Sequence, residues 1–479
     1  MTGKNAYNTQ DNQRKVKSMA TGKALDGKPY AGNPHVRFDE GEVAPAATPR
    51  RGSLLYKHEH RKTTAAAALA AAVAAASAAG AVNRPEFVLP DALYAAPGLE
   101  CNVYFEGVLD SVRSDGYAFE VRSEVGRCEN ERWTWTPKAA DAGRREQVVF
   151  NAWSDAGLAC CRTVTVQVAS GKADPSRRVT CALLGDSLTN ARYQDRILAA
   201  LRGAGWKSYT PVGSRSGSSA GKTGVKNDDE APHDGYGGYT PGSFLTRYAL
   251  SIDEIDNIQS EQEREQLKAF GEKIAPGSEW RKNLLKSPIV RIKDGKKVVD
   301  VQSWFDRIDG GRAPDYILIL LGVNGTCIQR DEDIESYCEK GQVAPMRTLV
   351  KKLREAAPGA KIAIGTCAIG TDQDAFGKGY GCAISAVQCH KNVHYLNRRW
   401  MALVKEFNDA GDRNVFIVPV GQAIDSVRGY PSWKVTPFAH AKDKVERRCN
   451  AVHPSKEGGK QLGDAFAAWM MCTLDGERP

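Results

Sequence analysis

The strongest constraint on the fold is an alternation of short apolar runs with amphipathic stretches, from residue 179 to residue 471. The runs are almost continuously apolar, which is typical of strands buried on both faces, and the stretches between them have the period of a helix. The predicted strands are 179–184, 316–321, 361–364 and 415–418, and the predicted helices are 193–201, 346–356, 397–408 and 458–471. This alternation predicts an α/β domain over residues 177–475, with a parallel sheet covered by helices on both faces.

Residues 84–170 have a different pattern, in which apolar residues alternate with polar ones. Val164, Val166 and Val168, for example, share one face of a predicted strand. Several such strands separated by turn residues predict a small all-β sandwich, and we expect it to be immunoglobulin-like. Trp133 and Trp135 lie on one face of a strand, where a place in the core is favoured over a sugar-binding surface.

An alanine-rich segment precedes both regions. Residues 65–82 include 13 alanines, follow a basic stretch and end in small residues. We therefore expect residues 63–82 to be a signal-peptide-like segment, which would leave no stable membrane span after cleavage; an uncleaved anchor and a linker helix are the alternatives. Residues 1–62 are polar and lack an apolar period, and are expected to form a disordered leader.

The cysteines agree with an oxidising compartment. Twelve cysteines lie between Cys101 and Cys472, more than a reduced cytosolic enzyme needs for packing. We expect disulfides within the close pairs Cys327 with Cys338 and Cys382 with Cys389, whereas Cys181 and Cys367, in apolar strands, are expected to be free. The predicted location is secreted, periplasmic or at the cell surface.

The charge distribution argues against nucleic acid as a partner. Residues 1–62 carry 12 Lys and Arg against 6 Asp and Glu, and the rest of the chain carries 54 against 51. A nucleic-acid-binding domain needs its basic excess on the folded part of the chain, and here that part is almost neutral.

Polar residues with catalytic potential follow the predicted strands. Ser187, within Gly185-Asp186-Ser187-Leu188, comes directly after the first strand, and Asn324 follows the second. His453 stands just before the last helix, and Gly238 lies in a glycine-rich loop over residues 235–240. Ligands of parallel sheets bind at the carboxyl ends of the strands, so these residues are expected to meet there.

The four segments, in this order, resemble the SGNH or GDSL hydrolase superfamily. The resemblance implies a flavodoxin-like three-layer domain in which Ser187 is the nucleophile and His453 the general base. It also implies an oxyanion hole formed by the backbone N–H groups of Ser187 and Gly238 and the side-chain amide of Asn324. A sandwich followed by such a domain resembles secreted esterases that act on acetylated carbohydrate.

Two positions depart from this pattern. The acid expected three residues before the histidine is Asn450, and the Asp expected after the third-segment asparagine is Gly325. Asn450 could accept the imidazole N–H through its carbonyl oxygen, but it brings no negative charge. We expect another acceptor, such as a backbone carbonyl or Asp443, to orient His453. The alternatives are a Ser-His dyad assisted by Asn450, or a loss of activity.

The long stretch between Gly238 and Gly322 is an insertion that would form part of the substrate cleft. Tyr236, Tyr239 and Trp304 are candidate platforms for sugar rings, or else anchors of the insertion. No metal, phosphate or dinucleotide motif occurs, so no cofactor is expected.

The sequence therefore predicts a secreted serine esterase that removes O-acetyl groups from polysaccharide. A lipase or lysophospholipase is the alternative enzyme, and a carbohydrate-binding or cell-surface interaction protein is the alternative without catalysis.

Overall fold

The computed structural model describes residues 85–111, 114–170, 176–189, 193–215, 231–246, 287–293, 296–380 and 384–474. The predicted leader, 1–62, and the signal-peptide-like segment, 63–82, lie outside these residues. Within the described part of the chain, no helix combines the length and the apolarity that a membrane span requires.

The centre of the α/β region is a six-stranded sheet in which every pairing is parallel. Its strands are β8 Val179–Gly185, β9 Tyr209–Val212, β10 Asp234–Gly235, β13 Tyr316–Leu320, β14 Lys361–Gly365 and β15 Val415–Val418. Four of them lie in the spatial order β8, β13, β14, β15, and β9 and β10 both pair with the outer side of β8. The predicted α/β class with a parallel sheet is therefore confirmed.

Helices flank this sheet, and the longer ones are amphipathic. They are α1 Tyr193–Gly203, α2 Pro241–Thr246, α3 Val301–Asp309, α4 Val323–Thr326, α5 Ile334–Tyr337, α6 Ala344–Ala356, α7 Gln373–Tyr380, α8 Ala386–Asp409, α9 Val420–Ala423 and α10 Lys456–Thr473. A π-helical turn, Cys338–Val343, joins α5 to α6. Trp400 of α8 and Trp469 of α10 are fully buried, so these two helices anchor the core on the sheet.

Residues 85–170 form two small sheets around a second core. The strands are β1 Ala92–Ala95, β2 Cys101–Tyr104, β3 Ala118–Arg122, β4 Arg127–Cys128, β5 Arg132–Trp135, β6 Arg145–Ser154 and β7 Gly157–Val168. One sheet has the order β1, β7, β6, β3, and the other has the order β2, β5, β4. Trp133 and Trp135 are both buried in this core, as predicted. The immunoglobulin-like classification stays a prediction.

Two hairpins complete the described strands. They are β11 Val290–Lys293 with β12 Lys296–Val299, and β16 Ser432–Val435 with β17 Val445–Arg448. The second hairpin ends two residues before Asn450. The residues of its two strands are mostly polar, which is why this hairpin was not predicted from the sequence.

The helix predicted at 397–408 is longer than expected. It begins at Ala386, where the Ser385 hydroxyl accepts the Gln388 N–H at 3.1 Å and caps the helix. Its first turns contain buried polar residues, among them Asn392, whose amide donates to the carbonyls of Thr326 and Gln329. Because these buried residues are polar, the first turns of the helix lack the apolar period from which a buried helix is predicted.

The predicted disulfide between Cys327 and Cys338 is wrong for this structure, because both residues are free thiols. Both lie buried, and Cys327 hydrogen bonds to the Val323 carbonyl. Cys382 lies outside the described residues, so its pairing with Cys389 stays a prediction. Cys181 and Cys367 are free and buried, as expected.

Candidate active site

Ser187 lies at the carboxyl edge of the parallel sheet, two residues after β8 ends. All seven residues of β8 are buried, whereas Ser187 is half-buried and presents its hydroxyl at the surface of the sheet edge. The chain turns at this point toward α1, so Ser187 occupies the position in which α/β folds carry their reactive groups.

His453 reaches the same point from the other end of the chain. It belongs to the short loop before α10, a helix capped by the Ser455 hydroxyl, which accepts the Gly458 N–H at 3.1 Å. His453 Nε2 lies 2.8 Å from Ser187 Oγ, within hydrogen-bond range. The structure therefore brings together the predicted nucleophile and the predicted base.

Asn450 contacts the other nitrogen of the imidazole through its amide nitrogen rather than its oxygen. Its carbonyl oxygen accepts the backbone N–H groups of Val452 and His453, at 3.0 and 2.9 Å. The amide nitrogen, which can only donate, consequently faces His453 Nδ1 at 3.1 Å. Asn450 therefore does not accept the imidazole N–H, because its oxygen is already used by the backbone.

This orientation fixes the tautomer of His453. Nδ1 must accept from Asn450, so the ring proton sits on Nε2 and points at Ser187 Oγ. A general base needs the reverse arrangement, in which Nε2 offers a lone pair to the serine hydroxyl. The most stable arrangement of the site is therefore the tautomer that cannot take the Ser187 proton.

Asp443 does not orient His453. It is exposed in the loop between β16 and β17. Among the described residues, the side-chain hydrogen-bond partners of the imidazole are Asn450 and Ser187. Burial lowers the His453 pKa below its ordinary value, and no carboxylate offsets this effect.

Asn324 stands between the Ser187 turn and the glycine-rich loop. Its amide nitrogen donates to Asp186 Oδ2 at 2.8 Å and to the Tyr239 carbonyl at 3.0 Å. Both amide hydrogens are thus engaged, and one must be released before Asn324 can donate to an oxyanion. When Asp186 is ionised, the bond to the Tyr239 carbonyl is the weaker of the two, because it joins two neutral groups.

Asp186 is a functional candidate to which the sequence assigned no role. It is fully buried beneath Ser187, accepts the Leu188 N–H at 2.8 Å, and holds the Asn324 amide. Burial raises the pKa of Asp186 to about 7, although the bond from Leu188 opposes this shift. Its position inside the quoted Gly185-Asp186-Ser187-Leu188 segment was the only signal in the sequence.

Gly238 lies beside this cluster, on the loop that follows β10. β10 pairs with the end of β8, and the Tyr236 N–H donates to the Gly185 carbonyl at 2.9 Å. Gly238 has a φ of +77°, the left-handed region that favours glycine, and the space around it is open. Gly238 is exposed, and its neighbour Tyr239 accepts from the Asn324 amide, which places this turn next to the candidate site.

The three predicted sugar platforms fit the anchoring alternative instead. Trp304 is fully buried, and its indole N–H donates to Asp234 Oδ2 at 3.0 Å, so its role as a platform is wrong. Tyr236 and Tyr239 are buried and stack on each other, with ring centroids 4.9 Å apart. The Tyr236 hydroxyl also donates to Asp234. This carboxylate therefore accepts hydrogen bonds from both Tyr236 and Trp304 and anchors the glycine-rich loop.

Glycine stands at position 325, where the resemblance leads one to expect an aspartate, for a steric reason. Gly325 has a φ of +79°, and a Cβ atom there would lie 1.8 Å from the Tyr337 hydroxyl. That hydroxyl and the Gln342 amide both donate to the Asn324 carbonyl, at 3.2 and 2.9 Å. An aspartate does not fit at position 325, and Tyr337 and Gln342 support the Asn324 backbone in its place.

The His453 pKa predicts the pH dependence of catalysis. A base must be neutral to act, so kcat/KM should fall as the pH drops through the His453 pKa, which lies below its ordinary value of 6.5. Replacing Asn450 by Asp adds a negative charge that raises this pKa, and the acid limb should move to higher pH. If the acid limb of the kcat/KM profile stays at the same pH in Asn450→Asp, it belongs to Asp186. That result would contradict the assignment of this limb to His453.

No group of three or more metal-ligating side chains occurs among the residues that the structure describes. The absence of a cofactor stays a prediction.

No family model and no curated protein match the chain. Solved structures that resemble it include a carbohydrate esterase of family 3 from Talaromyces cellulolyticus, with 13% identity, coverage of 63% of this chain and 100% of the other, and a TM-score of 0.34. A family two carbohydrate esterase from Clostridium thermocellum, solved with cellohexaose, has 12% identity, 80% and 94% coverage and a TM-score of 0.31. A possible lipase from Chitinophaga pinensis has 15% identity, 61% and 98% coverage and a TM-score of 0.32. At TM-scores this low, function is inferred from the site geometry.

Proposed function

We propose that this protein is a secreted serine esterase that hydrolyses O-acetyl esters of polysaccharides. The observation that carries the proposal is the 2.8 Å contact between Ser187 Oγ and His453 Nε2 at the carboxyl edge of the sheet. A serine paired with a histidine at this edge is suited to acyl transfer.

In the proposed reaction, Ser187 Oγ attacks the ester carbonyl while His453 Nε2 takes its proton. The tetrahedral oxyanion would be held by the N–H groups of Ser187 and Gly238 and by the Asn324 amide, once that amide leaves the Tyr239 carbonyl. His453 then gives this proton to the departing sugar oxygen, which leaves as the alcohol. In the second half, His453 takes a proton from water as the water oxygen attacks the acetyl carbonyl, and it returns that proton to Ser187 Oγ when acetate is released.

Asn450 imposes an energetic cost on the first step. His453 must move its ring proton to Nδ1, where it faces the Asn450 amide nitrogen, or Asn450 must turn and give up its two backbone hydrogen bonds. Each such bond contributes about 0.5–1.5 kcal/mol, so the reactive tautomer lies roughly 1–3 kcal/mol above the stable one. We therefore expect a slow esterase that favours esters with good leaving groups.

The surroundings of the site support a sugar substrate more than a lipid. Asp186, Asn324 and Asn450 form the side-chain hydrogen bonds of the Ser187 turn and of His453 Nδ1, so polar groups lie close to the reacting atoms. Exposed aromatic rings occur on the hairpin that precedes Asn450, with Trp433 37% and Phe438 65% exposed. Rings of this kind can stack on sugars, although neither residue was predicted from the sequence to contact a substrate.

Acetate release from a panel of substrates tests the proposal. The panel should contain acetylated xylan, acetylated pectin, a triacylglycerol and a lysophospholipid, with Ser187→Ala as the control. We expect acetate from at least one polysaccharide and no fatty acid from the lipids. Release of fatty acid alone would contradict the polysaccharide assignment and favour the lipase alternative.

A carbohydrate-binding protein without turnover is the second candidate, and the Asn450 geometry favours it. Polysaccharide binding that persists in Ser187→Ala, without acetate release by the wild type, would identify this case.

A further inference from the structure

A cleft with a strong excess of positive charge begins directly beside His453. It lies between α1 and the start of α10, has a volume of about 810 Å³, and includes Pro454 and Ser455 in its wall. The rest of its lining is Asp195, Arg196, Leu198, Ala199, Arg202, Lys456, Gly459 and Lys460. Four of these side chains are cationic and one is anionic.

The single acid in the cleft is already engaged. Asp195 accepts the backbone N–H of Ala231 at 2.9 Å, and Arg196 pairs with Asp464 at 2.6 Å. Arg202, Lys456 and Lys460 are exposed to solvent along the cleft. These three cations are therefore accessible to a ligand that enters the cleft.

The positive charge is local and does not reflect the chain as a whole. Residues 432–460, which flank His453 in the sequence, contain seven Lys or Arg against three Asp or Glu. All residues from 63 onward carry only 54 against 51. The segment that contains His453 is thus more basic than the chain from residue 63 onward, and such charge can attract an anionic substrate and raise its local concentration.

We propose that this cleft binds a carboxylate-bearing stretch of the polysaccharide, so that the preferred substrate is an acetylated polyuronate. The inference rests on the proposed function and specifies its substrate class. Asp195 and Arg202 are seven residues apart on α1, about 10 Å along a helix axis. A cleft of this length holds a short run of sugar units while a neighbouring acetyl group reaches Ser187. Guanidinium and ammonium groups pair well with uronate carboxylates.

Binding to a polymer without acetyl groups tests the cleft independently of hydrolysis. The probe is polygalacturonate, with unsubstituted xylan as the neutral comparison, and the protein is the full chain carrying Ser187→Ala. We expect polygalacturonate to bind at least tenfold more tightly than xylan and to weaken as salt is raised. Equal binding of the two polymers, or preferential binding of DNA or of anionic phospholipid vesicles, would overturn the proposal.

Two charge-matched variants locate the binding site. The first changes Arg202, Lys456 and Lys460 to Gln; the control changes Arg413, Lys351 and Lys405 to Gln, which removes the same charge from surfaces away from the cleft. We expect the cleft variant to lose at least tenfold in affinity and the control less than twofold. Equal losses would mean that only net charge matters and would overturn the proposal.

A single Lys460→Glu variant provides the same test if the triple variant does not fold. It should weaken polygalacturonate binding at least threefold, and unchanged binding would overturn the proposal. Polygalacturonate binding without acetate release from any acetylated polymer would contradict the esterase and leave the cleft assignment standing.

Discussion

Ser187→Ala should lower the turnover of p-nitrophenyl acetate at least a thousandfold, about 4 kcal/mol of transition-state stabilisation. The substitution removes the hydroxyl that lies 2.8 Å from His453 Nε2 and that forms the acetyl-enzyme. Ser187 is half-buried, so its hydroxyl contributes little to stability, and the melting temperature should stay close to that of the wild type. The measurement is steady-state kinetics together with a thermal unfolding curve.

Ser455→Ala is the matched control for this prediction, because Ser455 lies two residues from His453 but acts as a helix cap. Loss of its bond to the Gly458 N–H should lower the free energy of unfolding by about 1 kcal/mol, with most of the turnover retained. If Ser187→Ala kept its turnover with an unchanged melting curve, the nucleophile would be another residue.

Asn450→Asp should raise kcat at least tenfold, about 1.4 kcal/mol. One carboxylate oxygen would keep the N–H groups of Val452 and His453, and the other would replace the amide nitrogen that now faces His453 Nδ1. The imidazole proton would then move to Nδ1, Nε2 would become the base, and the imidazolium would gain a negative partner. In serine proteases the reverse change, from acid to amide, costs roughly four orders of magnitude in kcat.

Asn450→Ala separates the two effects of this substitution. It removes the amide nitrogen from Nδ1 but supplies no acceptor, and it leaves two backbone N–H groups without their oxygen. We expect lower stability and a gain in kcat well below that of Asn450→Asp. If Asn450→Asp changed kcat less than twofold, a different group would be orienting His453 and the tautomer assignment would be wrong.

The sequence predicted the α/β class and the residues of the site because both depend on local patterns. Strands such as Val179–Gly185 are buried on both faces and read as continuous apolar runs, and Ser187 and Asn324 follow strand ends that a parallel sheet brings to one edge. The pairing of Ser187 with His453 was predicted from their positions near the strand ends together with the resemblance of four segments to a known hydrolase superfamily.

The sequence could not predict the hydrogen bonds that decide how the site works. Another acceptor, such as Asp443, was expected to orient His453, whereas it is the Asn450 amide that faces Nδ1. The Asn450 oxygen accepts from the backbone of its own loop, a contact set by three-dimensional geometry. The sequence also left open whether Trp304 is a sugar platform or an anchor of the insertion. In the structure its indole N–H donates to Asp234 in the interior, which favours the anchor. Burial of a particular side chain depends on partners distant in sequence, and 70 residues separate Trp304 from Asp234.

Covalent labelling with a fluorophosphonate, read by intact mass and peptide mapping, tests the central claim most directly. The reagent reacts with an activated serine and needs neither a known polysaccharide nor a known acyl group. We predict one adduct on the wild type, located on Ser187, absent in Ser187→Ala and formed faster in Asn450→Asp. An adduct on a different residue, or none on either the folded wild type or the folded Asn450→Asp variant, would contradict a Ser187–His453 esterase.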